Sequence, residues 1–258
     1  MARTPRTSRQ EAPQADPPHA GPGHRLWTAL GLARRNWPGR YTILLISILA
    51  MILTQPIFAG HQRLQSLATL TMSVVLLSAL YTLNLSRAYF RVGLLVMVPA
   101  FIGRWVLQFH QSESLEVFAA ITASTFILLT VIALVRELFS IRRVTLDSIS
   151  AAICAYLLLG IGWGFIFAVI ELEHPGSFTA ALLLPGVGPG SPILRALHNF
   201  IYYSFVCLTT TGYGDIAPKS DIARVMSVLE SIMGQMYLAI LIARLVSLEV
   251  AQSMLSDR

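Results

Sequence analysis

Four stretches of this chain, residues 41–62, 64–86, 117–135 and 148–170, contain no Asp, Glu, Lys or Arg. Charge-free runs of this length constrain the fold more than anything else in the sequence. A helix needs about 20 apolar residues to cross a bilayer. Backbone polar groups in hydrocarbon must be satisfied within their own segment, which rules out open strands. Two further stretches are nearly as apolar: residues 92–109, with Arg104 near one end, and 225–248, with Glu230 and Arg244 inside. The composition agrees, because 55% hydrophobic and 12% charged residues are wrong for an ordinary soluble domain. The expected fold is an all-α membrane protein with six transmembrane helices.

The arginines predict the orientation. Arg25, Arg34, Arg35 and Arg40 precede the first span; Arg87 and Arg91 lie between the second and third; Arg136, Arg142 and Arg143 lie between the fourth and fifth. The alternate connections are poorer in base, holding Arg63, then none in 111–116, then Arg195 and Lys219. The positive-inside rule puts both termini in the cytoplasm, which an even number of spans satisfies. The net charge of +6 is thereby read as flanking charge facing membrane lipids, not as a nucleic-acid footprint. Cys154 and Cys207 sit in apolar context and are expected to be free thiols. Residues 1–24, rich in Pro, Arg and Ser, are expected to form a disordered tail.

Between the last two apolar stretches lies Thr209-Thr210-Thr211-Gly212-Tyr213-Gly214-Asp215. Glycine reaches φ > 0 without steric cost, so alternate glycines suit a backbone that must turn consecutive carbonyls to one side. The segment resembles the selectivity filter of tetrameric potassium channels, whose signature is T-[VIT]-G-Y-G-D. Such filters replace the hydration shell of an ion with rings of backbone carbonyls. The resemblance implies that the carbonyls of Thr210, Thr211, Gly212 and Tyr213 bind K+, with the Thr210 hydroxyl innermost. Gly214 completes the filter, the Tyr213 ring points away from the axis, and Asp215 stands at the outer mouth. One filter segment per chain implies a homotetramer, with K+ as permeant ion and no other cofactor. Tyr202-Tyr203-Ser204 matches the aromatic-aromatic-Ser pattern of potassium-channel pore helices, where the two rings form a cuff around the filter; an interfacial aromatic belt is the alternative. Some of these channels carry a Glu four residues before the filter's first Thr, bracing the mouth Asp. Here Val206 stands there, so Asp215 needs another partner or stays solvated.

The resemblance covers about residues 148–250, the expected pore domain: an outer helix, a Gly/Pro-rich turret up to Pro192, a re-entrant pore helix over 193–208, the filter and an inner helix. Residues 25–147 are expected to form a four-helix domain in the position of a voltage sensor, and 251–258 a short cytoplasmic tail, with no nucleotide-binding or calcium-gating domain expected there. Glu230 is expensive inside a membrane unless hydrogen-bonded. It is expected either to brace the pore helix and filter or to reach a water-filled crevice. Gly234 follows at the spacing of the inner-helix gating hinge; close helix packing is the other reason for a mid-helix glycine. Helical periodicity then sets Gln235, Leu238 and Ile242 on one face, expected to line the cavity and its gate. Arg244 is expected to snorkel to headgroups or pair with Glu249, and Arg104 to snorkel outward.

The fourth span carries no arginine series, so strong voltage gating is not expected. The favoured reading is a bacterial potassium-selective channel in the inner (cell) membrane. A non-selective cation channel is the alternative, since Thr211 is a variant at the second filter position. A transporter is less favoured, because no repeated halves with broken helices are visible. An enzyme is not expected, as no His, Cys or carboxylate cluster lies in the spans.

Overall fold

The computed structural model describes residues 39–59, 65–83, 87–107, 112–140, 145–179 and 192–256 of the 258-residue chain. The expected tail over 1–24 and the Gly/Pro-rich part of the turret lie outside those residues. Seven helices make up the described chain: α1 (Arg40–Ala59), α2 (Gln65–Thr82), α3 (Arg87–Val106), α4 (Glu113–Ser140), α5 (Leu146–Glu173), α6 (Pro192–Leu208) and α7 (Asp221–Ser256). Four of them hold stretches long and apolar enough to cross a membrane: Tyr89–Val106, Ser114–Ser140, Leu146–Glu173 and Asp221–Leu248. α1 and α2 hold shorter apolar stretches, Tyr41–Thr54 and Thr69–Thr82. The described residues are helical apart from turns and one isolated bridge, Phe178 to Pro218, which fits an all-α membrane protein.

α5 is the organising element. Thr145 caps it: the Thr145 hydroxyl accepts from Ser148 N at 3.1 Å, and Ser148 Oγ accepts from Thr145 N at 2.9 Å. This reciprocal box satisfies two amides that a helix start would otherwise leave unpaired. α1 and α4 both pack on α5, with α2 and α3 completing the front bundle, and α6 and α7 pack on α5 as well. As a result α5 is 72% buried over its apolar window, and α7 only 17%. An apolar helix left that bare needs lipid or other chains around it.

Polar ties hold the front bundle. Ser47 and Ser78 join α1 to α2 at 2.8 Å, Trp105 Nε1 donates to Ser73 Oγ at 3.3 Å, and Tyr41 OH donates to Glu137. Arg136 donates to Tyr89 OH at 2.7 Å. The hydroxyls of Thr122, Thr125 and Thr130 return to carbonyls one turn back in α4. Ser124, on the same helix, crosses instead, donating to Gly162 O on α5 at 3.1 Å. The cysteines are free, Cys154 buried and Cys207 half-buried.

One expectation for an arginine is corrected. Arg104 does not snorkel; it is buried and, with Glu116, lines a small cavity between α2, α3 and α4 that Phe165 and Leu197 also line. Arg244 reaches back to the end of α4, and the Glu249 side chain lies outside the described residues. Arg244 Nε donates to Leu138 O at 3.1 Å and its guanidinium to Phe139 O at 2.6 Å, with the group stacked 4.8 Å from the Phe139 ring. The last carbonyls of a helix lack intrahelical donors and carry partial negative charge, so the end of α4 is a natural seat for a cation. The last helix also runs further than expected, to Ser256, into the stretch read as a tail.

Candidate functional site

α6 can approach α5 closely because α5 carries glycines where it needs them. A Cβ on Gly164 would come within 3.0 Å of Ile201 Cα, and one on Gly160 within 2.7 Å of the Phe205 ring. Ser204 uses that proximity, with its Oγ donating to Gly160 O at 2.6 Å. On the other side α6 meets α7, where Gly234 lies directly beneath Leu208. The last carbonyls of α6 are taken up across these contacts: Ser231 Oγ donates to Cys207 O at 3.0 Å and Tyr156 OH to Leu208 O at 3.3 Å.

The chain leaves α6 as a non-helical segment, and residues Thr209 to Asp215 are all exposed in the single chain. Positive φ recurs at every second residue: 55° at Thr210, 63° at Gly212 and 79° at Gly214. Two of these are glycines, for which the left-handed region is free of Cβ strain. Thr210 is β-branched, and such a residue at φ > 0 costs on the order of 1–3 kcal/mol unless its surroundings impose it. They do: Thr210 N donates to Cys207 O at 2.9 Å, Thr211 N to Val206 O at 3.0 Å, and Gln235 Nε2 to Thr210 Oγ1 at 3.3 Å. Beyond the segment, Thr179 N donates to Ala217 O at 2.9 Å and Lys219 N to Ser177 O at 2.7 Å, tying its far leg to the chain after α5.

The two tyrosines expected as a pair have separate roles in the packing. Tyr202 is exposed, and its OH donates to Asp215 Oδ2 at 2.8 Å. That is the partner Asp215 has in place of the missing Glu. Tyr203 is buried among Phe167, Phe178 and Phe200, its OH 2.6 Å from Ser227 Oγ. Tyr213 is 72% exposed and Ile242 59%, Gln235 is exposed, and Leu238 is half-buried on the same stripe of α7.

Glu230 is fully buried and meets Ser204 Oγ through Oε1, while Oε2 has no hydrogen-bond partner. A serine hydroxyl holds one proton and Gly160 O can only accept, so that proton cannot serve both neighbours. The trio is complete only with a proton on the carboxyl. Glu230→Gln, neutral and of the same shape, is therefore expected to melt within about 1 kcal/mol of the parent in detergent. Glu230→Ala, which removes the contact and leaves a cavity, is expected to lose about 2–4 kcal/mol. If Gln were as damaging as Ala, the contact would depend on a charged carboxylate instead of a neutral one.

Sequence reasoning named Glu230 and Gly234 but missed Ser227 and Ser231. All four lie on the α7 face turned to α6, at i, i+3, i+4 and i+7. That polar stripe on an apolar helix was the available signal. Gly160 and Gly164, four apart on α5, gave a second one.

Comparisons with known proteins meet this geometry at the same residues. A family model described as an ion channel matches residues 193–250, which takes in nearly all of α6, the 209–215 segment and most of α7. The chain is 26% identical to Protein LctB of Bacillus caldotenax over 106 residues, 41% of this chain and 75% of the relative. It is 27% identical to Protein LctB of Geobacillus stearothermophilus over 105 residues, again 41% of this chain and 75% of the relative. No solved structure matches the chain. Residues 193–250, in the carboxy-terminal part, thus match an ion-channel domain, which supports an ion-channel function for a chain whose described residues are helical and apolar.

Proposed function

We propose that four copies of this chain surround a potassium-selective pore in the inner (cell) membrane, with both termini in the cytoplasm. One observation carries the reading. Residues 209–215 are exposed and non-helical, with positive φ at 210, 212 and 214, in a chain whose long helices are of membrane length. Irregular backbone at membrane depth is tolerated only where it lines a water-filled path or is buried in protein. Four such segments around an axis give both: carbonyls of Thr210, Thr211, Gly212 and Tyr213 toward K+, and side chains toward neighbouring subunits. Gly214 and Asp215 form the outer end, and α6 is the re-entrant pore helix, its carboxy-terminal dipole facing the cavity. The bare surface of α7 supports the tetramer; in it Gln235, which bonds the Thr210 hydroxyl, would face the central cavity, and Leu238 and Ile242 would line the path below.

α1 and α2 complete six spans, with flanks beyond their shorter apolar stretches reaching the interfaces. Strong voltage gating is not part of the proposal: the apolar body of α4 carries no arginine, and Arg136 near its end is engaged by Tyr89. The test is current through purified protein in a planar bilayer, potassium on one side and sodium on the other. Reversal near the potassium equilibrium potential is expected. Reversal near zero would replace selectivity with a general cation pore, and flux that saturates or needs a coupled ion would point to a transporter.

A further inference from the structure

A cavity of about 260 Å³ lies between α4, α5 and α7. Its walls include Ile127, Val131, Leu159, Trp163 and Ile166, and no charged side chain lines it. Ser124 is the hydroxyl in the lining, and its proton is already committed to Gly162 O. Water has little to bond there. An apolar cavity of only about 150 Å³ stays dry and takes up benzene, so this larger one is a site for hydrocarbon.

Its depth and its mouth identify the source. Ser124 and Gly162 each lie near the middle of a 28-residue helix. In a span of that length this corresponds to the bilayer centre, remote from headgroups. Among the lining residues, Leu128 is 48% exposed and Met233 41%, so the cavity opens on an apolar outer surface. The surface continues along α4 through Ile121 and Ile132, both about half exposed. The material that such a surface meets in a membrane is acyl chain. The geometry points to a binding site for the distal acyl segment of a membrane phospholipid, seated between Leu128 and Met233 with its end against Leu159 and Trp163. Met233 precedes Gly234, so the occupant touches α7 beside the residue on which α6 rests. The site requires α4, α5 and α7 to cross a bilayer and is independent of which ion, if any, the chain conducts.

The experiment uses the full chain in phosphatidylcholine vesicles doped with a phosphatidylcholine carrying a diazirine near the end of one acyl chain. After irradiation, adducts are mapped by peptide mass spectrometry. Leu159 and Trp163 are 6% and 8% exposed, out of reach of lipid that merely surrounds the helices. Adducts on these two are expected. They should fall about tenfold, the effect of about 1.4 kcal/mol in binding, in Val131→Phe, which fills the cavity, and in Leu128→Trp, which closes its mouth from an exposed position. Leu53→Trp, on the outward face of α1, should leave them unchanged. Gel filtration identifies any variant that fails to fold, and the rim variant then carries the test. Adducts confined to outward residues such as Ile46 and Leu53 would overturn the site. So would unlabelled Leu159 and Trp163, the pattern expected if a neighbouring subunit fills the cavity, or labelling that the Leu128→Trp rim leaves undiminished.

Discussion

Gly214→Ala is expected to abolish potassium-selective current while leaving the chain folded. At Gly214 φ is +79°, and at Gly212 it is +63°. Nothing lies within 4 Å of a Cβ placed at either residue in the single chain, so crowding is not the obstacle. The dihedral is. An L-residue in the left-handed region costs roughly 1–2 kcal/mol. In a pore built from four copies, the conducting arrangement would lose about 4–8 kcal/mol relative to one in which the peptide turns away. A turned peptide removes a ring of carbonyls and points amides at the ion path. The folded chain hardly notices, because the bonds that tie this segment to α6 and α7 are made at Thr210, Thr211 and Asp215 and not at the glycines. The measurement is paired: reversal potential and single-channel current against thermal unfolding in detergent. Gly212→Ala should behave alike. Parent-like selectivity in either variant would remove the carbonyls of this segment from the ion path.

This separation of local conformation from global stability is also why the site was more legible in the sequence than the fold around it. Residues 209–215 carry much of their conformation in their own types, with glycines at two of the three positions where φ turns positive. The helices were legible from the absence of charge, since lipid forces a helix on any long apolar run. Which helix faces which was not. For Arg244 the sequence offers Glu249 nearby, but it gives no sign that the guanidinium also donates to carbonyls more than 100 positions earlier, at the end of α4. Arg104 reads as a snorkelling residue at a span end, and only the approach of α4 to α3 explains its burial in the cavity wall it shares with Glu116. The partner of Asp215 was hidden for a related reason. The position examined for it was Val206, whereas the group supplied is the Tyr202 hydroxyl, one turn further back on α6. Hydroxyls on an apolar helix advertise polarity but not direction, and Ser204, Ser227 and Ser231 all needed the packing to assign them.

Gly234→Ala is expected to produce a large loss of stability for a single added methyl. The glycine is buried, and a Cβ there would overlap the carbonyl oxygen of Leu208, with Leu208 Cδ1 at 2.9 Å and the carbonyl carbon at 3.2 Å. A side chain can rotate away from an intruding methyl, but the carbonyl ends α6 and leads into the 209–215 segment. Relief therefore means moving α7 away from α6, which stretches the bonds from Ser231 to Cys207 O and from Gln235 to Thr210. Overpacking in a dense interior typically costs about 1–3 kcal/mol, and a backbone obstacle puts this substitution at or above the top of that range. Gly→Ala would by itself favour the helix by about 1 kcal/mol, so the sign of the result is decisive. A lowered melting temperature, with current lost alongside it, identifies Gly234 as the contact that lets α7 support the start of the segment. A raised melting temperature with altered opening would instead leave the glycine as a hinge, placed for bending and not for closeness.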